Sequence, residues 1–190
     1  MNAMVLANVI WPQNATNTLL RNVALMLVGS VIVAIAAQIN IPMVPVPMTL
    51  QSLAVLSVGA AFGARLGAAT LLLYAAEGAI GLPVFAQMKA GAGVIAGTTG
   101  GYIVGFIMAA AVTGYLAEQG WSRNMAKMAL ASLIGAVVLY VPGLIWLHQF
   151  ANGWAQTLEW GFNPFVYGDI LKALIAAIGF QAGWRLLNAK

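Results

Sequence analysis

Few side chains in this sequence could do chemistry, which makes their positions informative. The acidic set is Glu77, Glu118, Glu159 and Asp169. Asp169 and Lys172 are spaced i, i+3, so on a helix they share one face. They can form a local ion pair, which would account for both charges. They can also form a polar floor, with a carboxylate to accept N–H bonds and an ammonium to hold an acid group. The two readings are compatible if a ligand completes the pair. Glu77 lies inside a long apolar run, and Lys89 follows that run in a glycine-rich stretch. His148 has no Gly-x-Ser-x-Gly elbow to serve and reads as an interfacial histidine with a wet polar tip. There is no HExxH and no paired-carboxylate helix, and Gly97-Thr98-Thr99-Gly100-Gly101 lacks the lysine of a phosphate loop. Binding is therefore better supported than catalysis, and no metal or cofactor is implied.

The elements that carry these residues must lie in lipid. Of 190 residues, 62% are hydrophobic and 6% charged, against about 45–50% and roughly 25% in soluble domains. That excludes a soluble enzyme and a disordered tail. The net charge of +4 comes from basic residues scattered singly, so no nucleic-acid patch forms. Cysteine is absent, which removes disulfides, thiol catalysis and thiolate metal sites. Met1–Gln13 has no basic n-region or cleavage site and does not read as a secretory signal. Trp11-Pro12 before Gln13-Asn14 reads instead as a short interfacial preface.

A helix needs about 20 apolar residues to cross a hydrocarbon core of roughly 30 Å. Six runs are predicted: Arg21–Ile39, Met48–Phe62, Leu66–Phe85, Thr99–Leu116, Met128–Leu147 and Pro164–Leu187. The expected fold is a single all-α membrane domain over residues 1–190 with six transmembrane helices. Placing both termini in the cytoplasm puts Arg21, Arg65, Arg123, Lys127, Arg185 and Lys190 inside, as the positive-inside rule asks. Lys89 and Lys172 are the exceptions. Glu118 then belongs to the cytoplasmic end of the fourth span and Glu159 to a solvated outer loop. Ionisable groups at membrane depth should face protein or a wet cavity, so Glu77, Lys89, Asp169 and Lys172 are expected to converge in the outward half. The glycines from Gly91 to Gly101 would form a mobile loop, and Pro42, Pro45 and Pro47 a stiff one opposite it. Gly105 and Gly114 read as helix-packing positions.

The run Ile41-Pro42-Met43-Val44-Pro45-Val46-Pro47-Met48-Thr49-Leu50-Gln51-Ser52-Leu53-Ala54-Val55-Leu56 resembles the PVPMTLQ segment of the BioY family. The blocks Gly63–Ala68, Gly78–Phe85 and Gly97–Phe106 resemble the same family in order and spacing. The resemblance implies the substrate-binding (S) component of an energy-coupling factor transporter for biotin, in the inner (cytoplasmic) membrane of a bacterium. It implies that Asp169 and Lys172 contact biotin and that Lys89 stands where a basic loop residue reaches the ligand. Glu77 is a further carry-over, lining the pocket or balancing Lys89. The ureido N–H groups would meet Asp169, and the valerate carboxylate Lys89 or Lys172. Tyr140 is either a pocket wall or a packed core tyrosine. By the same resemblance the partners are a transmembrane coupling protein and two ATPase subunits, docking on small residues of the first helix. Ser30 and Ala34 are the best match, unless they pack within the chain. The alternatives are an S component for thiamine or riboflavin, and a proton-coupled carrier working alone through Glu77.

Overall fold

The structure, a computed structural model, describes residues 5–12 and 17–188. Gln13, Asn14 and Lys190, which entered the reading of the termini, lie outside these residues. The described chain is built from α1 (Leu6–Ile10), α2 (Thr18–Gln38), a two-residue hairpin pair β1 (Asn40–Ile41) and β2 (Met48–Thr49), then α3 (Gln51–Phe62) and α4 (Ala64–Ala79). There follow α5 (Ala92–Ala96), α6 (Gly100–Glu118), α7 (Met125–Leu147), α8 (Trp154–Gly161) and α9 (Val166–Asn188).

Among the described residues, four helical stretches are long and apolar enough to cross a membrane: Thr18–Gln38, Gly100–Glu118, Met125–Phe150 and Val166–Leu187. The second and third expected spans are shorter than predicted. Met48 and Thr49 pair antiparallel with Ile41 and Asn40, so α3 starts only at Gln51. The third run leaves the helix at Ala79, and Gly81, with φ 107°, turns the chain away. At about 1.5 Å per residue, α3 (12 residues) and α4 (16 residues) reach only about 18 and 24 Å. Apolar continuity reports the length of a run and not the point where its backbone leaves the helix.

The long helices carry apolar residues on outward faces. Val137, Val141 and Ile145 are exposed on α7, and Ile170, Leu171, Leu174 and Ile178 on α9. Such faces suit lipid, where apolar exposure carries no cost.

Successive long helices alternate in direction. The C-terminal ends of α2, α4 and α7 and the N-terminal ends of α3, α6 and α9 therefore gather at one end of the bundle. A core there contains Val55, Tyr74, Phe85, Tyr102, Phe106 and Tyr140. A second core at the opposite end joins Val5, Ala60, Ala117, Met128, Ala177 and Phe180. Close helix approach relies on bare backbone: a Cβ on Gly105 would strike the Leu139 carbonyl, and one on Gly114 the backbone of Gly63 and Ala64. Both are packing positions, as expected.

Two charged residues near the second core have structural duties. Arg21 is 1% exposed. Its guanidinium donates to the carbonyls of Trp11 (2.7 Å) and Ala7 (2.9 Å) and to the side chains of Asn8 and Asn22, tying α1 to α2. Glu118 Oε1 accepts from the Ala64 N–H at 2.9 Å, so it caps α4.

Candidate functional site

The gathered helix ends surround a cavity that is partly open to the outside. Val46, Pro47 and Thr49 wall it from the proline-rich segment, and Gln51 and Ser52 from the start of α3. Phe85, Ala86 and Lys89 come from the segment after α4. Tyr102 and Phe106 of α6, Leu139 and Tyr140 of α7, and Phe165 before α9 give the apolar and aromatic sides. Asp169 and Lys172, in the first turns of α9, supply the charges of the floor.

The floor is a closed hydrogen-bonded hub. Lys172 Nζ lies 3.1 Å from Asp169 Oδ1, with the two side chains 9% and 12% exposed. Lys172 Nζ also donates to Ser52 Oγ at 2.9 Å, and Ser52 Oγ donates to Asp169 Oδ1 at 3.1 Å. Tyr140 donates its hydroxyl to Asp169 Oδ2. A charge pair this far from water needs such partners to offset its desolvation. An ammonium has three N–H donors and a carboxylate about four acceptor sites. Two donors and three acceptor sites are used inside the hub, which leaves one donor on Lys172 and one acceptor site on Asp169.

Three of the four expected charged residues meet at the cavity: Asp169, Lys172 and Lys89. Lys89 is exposed at the rim, away from the ion pair. Glu77 is not in the cavity wall. It lies on the face of α4 that meets α2, where its Oε1 accepts from Ser30 Oγ at 3.1 Å. Ser30 is fully buried, and its single hydroxyl hydrogen is shared between Glu77 and the Leu27 carbonyl at 3.0 Å. A hydroxyl among apolar neighbours turns towards an acceptor, so Ser30 packs within the chain rather than facing out. Ala34 is half-buried and also packs on the core.

The glycine-rich stretch is more ordered than its composition suggests. Residues 92–96 form α5, while Gly100 packs on the Ile95 carbonyl and Gly101 on the Pro142 carbonyl. Thr98 Oγ1 donates to the Pro45 carbonyl at 3.3 Å, joining the two loops over the cavity. Tyr140 is a wall residue and a hub donor at once. Ser52 is a site residue that the sequence does not single out. Its signal is its place one residue after Gln51 in the run that resembles the BioY segment, and its partners lie 117 and 120 positions away. His148 stacks on Trp154 at 4.2 Å, and its Nδ1 is 3.0 Å from Thr157 Oγ1.

A helical bundle with apolar outer faces and a mostly apolar cavity over a neutral, hydrogen-bonding floor defines a membrane protein that holds a small solute. Residues 7–189 match the BioY family, and the chain belongs to it. It is 37% identical over 147 residues to the biotin transporter BioY of Thermotoga maritima, covering 77% of this chain and 86% of that one. The biotin transporter BioY of Rhizobium etli is 36% identical over 177 residues, covering 86% and 94%. In fold, the chain is similar to the crystal structure of the S-component for biotin from an ECF-type ABC transporter. That match has a TM-score of 0.76 at 23% identity and covers 88% of this chain and 93% of that chain.

Proposed function

We propose that this chain is the biotin-binding membrane subunit of an uptake system and not an enzyme. The observation that carries the reading is the division of polar groups in the cavity. The hub has no net charge and keeps one acceptor and one donor to spare, which suits a ureido N–H and its adjacent carbonyl. Lys89 at the rim is the cation available for the valerate carboxylate. The apolar and aromatic sides suit the fused rings between them. Thiamine is cationic and riboflavin much larger, and neither asks for a neutral floor with a cation at the mouth. The names of the relatives support the same cargo.

The accompanying topology, in a bacterial cytoplasmic membrane, has six embedded helices: α2, α3, α4, α6, α7 and α9. Both termini are cytoplasmic and the cavity faces out. The basic residues at the end opposite the cavity support this orientation. Alternating direction with paired short helices supports six passages in place of four. An ATPase-driven coupling module supplies the energy, and Ala34 on α2, which packs on the core with one side and keeps part of its surface exposed, is the small residue for docking once Ser30 is used internally. The test is calorimetry of the purified protein with biotin, biotin methyl ester, thiamine and riboflavin. Tight binding of biotin alone, weakened for the ester, is expected. Absence of biotin binding, or equal binding of another vitamin, overturns the assignment.

A further inference from the structure

The segment from Val84 to Lys89 crosses the cavity rim and presents Lys89 there. Its first half is firmly seated. The Phe85 ring is 3% exposed and packs edge-on against Tyr74 at 5.6 Å, over a Gly78 whose Cβ would overlap it. Tyr74 donates to the Val84 carbonyl at 3.0 Å and accepts from Gln51 Nε2 at 2.8 Å. The second half has no such seat. Met88 is 62% exposed, and Gln87 and Met88 have φ of 61° and 57°, a region that side chains other than glycine rarely occupy. Backbone of this kind persists only when its surroundings fix it.

The fixing group is Gln38, the last residue of α2. Its Nε2 donates to the Phe85 carbonyl at 3.0 Å, and its Oε1 accepts from the Met88 N–H at 3.0 Å. One amide thus holds both ends of the tight turn, as a neighbouring strand would. Within the turn, the Lys89 N–H reaches the Ala86 carbonyl only at 3.4 Å, and the Phe85 N–H the Lys89 carbonyl at 3.2 Å.

We infer that Gln38 is a positioning residue: its amide sets the turn that stands Lys89 over the cavity mouth, and so helps select an anionic ligand. This rests on the reading that Lys89 meets the biotin carboxylate. The test compares biotin and biotin methyl ester binding to the wild-type protein, Gln38→Met, Lys89→Met and the double variant, each monodisperse. Gln38→Met should weaken biotin about five- to ten-fold, leave the ester within about two-fold, and add less than about two-fold in the Lys89→Met background. Gln38→Glu, which keeps the acceptor but loses the donor when ionised, should fall on the same side as Gln38→Met. Equal weakening of acid and ester, or the same factor in both backgrounds, overturns the inference and leaves Gln38 a general structural residue. A Lys89→Met variant with native affinity for biotin overturns the reading of Lys89 itself, and the inference with it.

Discussion

Replacing Asp169 by asparagine is the most direct probe of the cavity floor. The substitution keeps the shape of the side chain while removing its charge and one of its acceptor atoms. In the native hub Oδ1 takes bonds from Ser52 and Lys172 at 3.1 Å each, and Oδ2 takes one from Tyr140. An asparagine oriented to keep the first two must turn its NH₂ group towards Tyr140 and the ligand. Tyr140 can reverse its hydroxyl, but a ureido N–H cannot become an acceptor. The lost bond is one to a charged acceptor, worth about 1.5–3 kcal/mol. At about 1.4 kcal/mol per decade this is a weakening of roughly ten- to one-hundred-and-fifty-fold. Stability should fall as well, because Lys172 is left buried without its counter-charge; breaking such a pair costs about 3–5 kcal/mol. Asp169→Asn combined with Lys172→Met should recover much of the stability and none of the affinity. Calorimetry and thermal unfolding of the monodisperse variants separate the two effects. Native affinity in folded Asp169→Asn would reduce the hub to an ion pair that ligand does not use.

Other perturbations test the topology, the docking face and the tie at the N-terminal end. A cysteine at Lys127, exposed at the start of α7 in a chain with no native cysteine, should label only from the cytoplasmic side of intact cells; labelling from outside would invert the bundle. Ala34→Trp should block assembly with a coupling module in pull-down while biotin affinity stays native, and joint loss of both would assign Ala34 to internal packing. Arg21→Met should lower stability by roughly 2 kcal/mol or more, since several bonds from one buried cation disappear. Limited proteolysis should then cut within α1 first, and unchanged protection of α1 would mean that it is held by its apolar contacts alone.

Composition was enough to set the class of the protein, because so few charges cannot solvate a globule of this length and the apolar runs are long. Spacing was enough to join Asp169 to Lys172, since an i, i+3 relation is a local property of any helix. The lengths of α3 and α4 were decided elsewhere: Met48 and Thr49 belong to a ladder with residues seven and nine positions earlier, and hydropathy does not register a strand pairing. Glu77 shows the same limit. Its depth could be read from the run around it, but whether it faced the cavity or α2 depended on how α4 is rotated against its neighbours. Ser30 was legible as a small residue and not as the donor that would claim Glu77. Arg21 was legible only as a basic residue at the head of a span and Glu118 only as an acidic one at the end of a span, yet packing turned one into the tie that holds α1 and the other into the cap of α4. The hub is the extreme case. Ser52, Tyr140 and Asp169 come from three helices, and their hydrogen bonds form only because the bundle brings those helix ends together at the floor of one cavity.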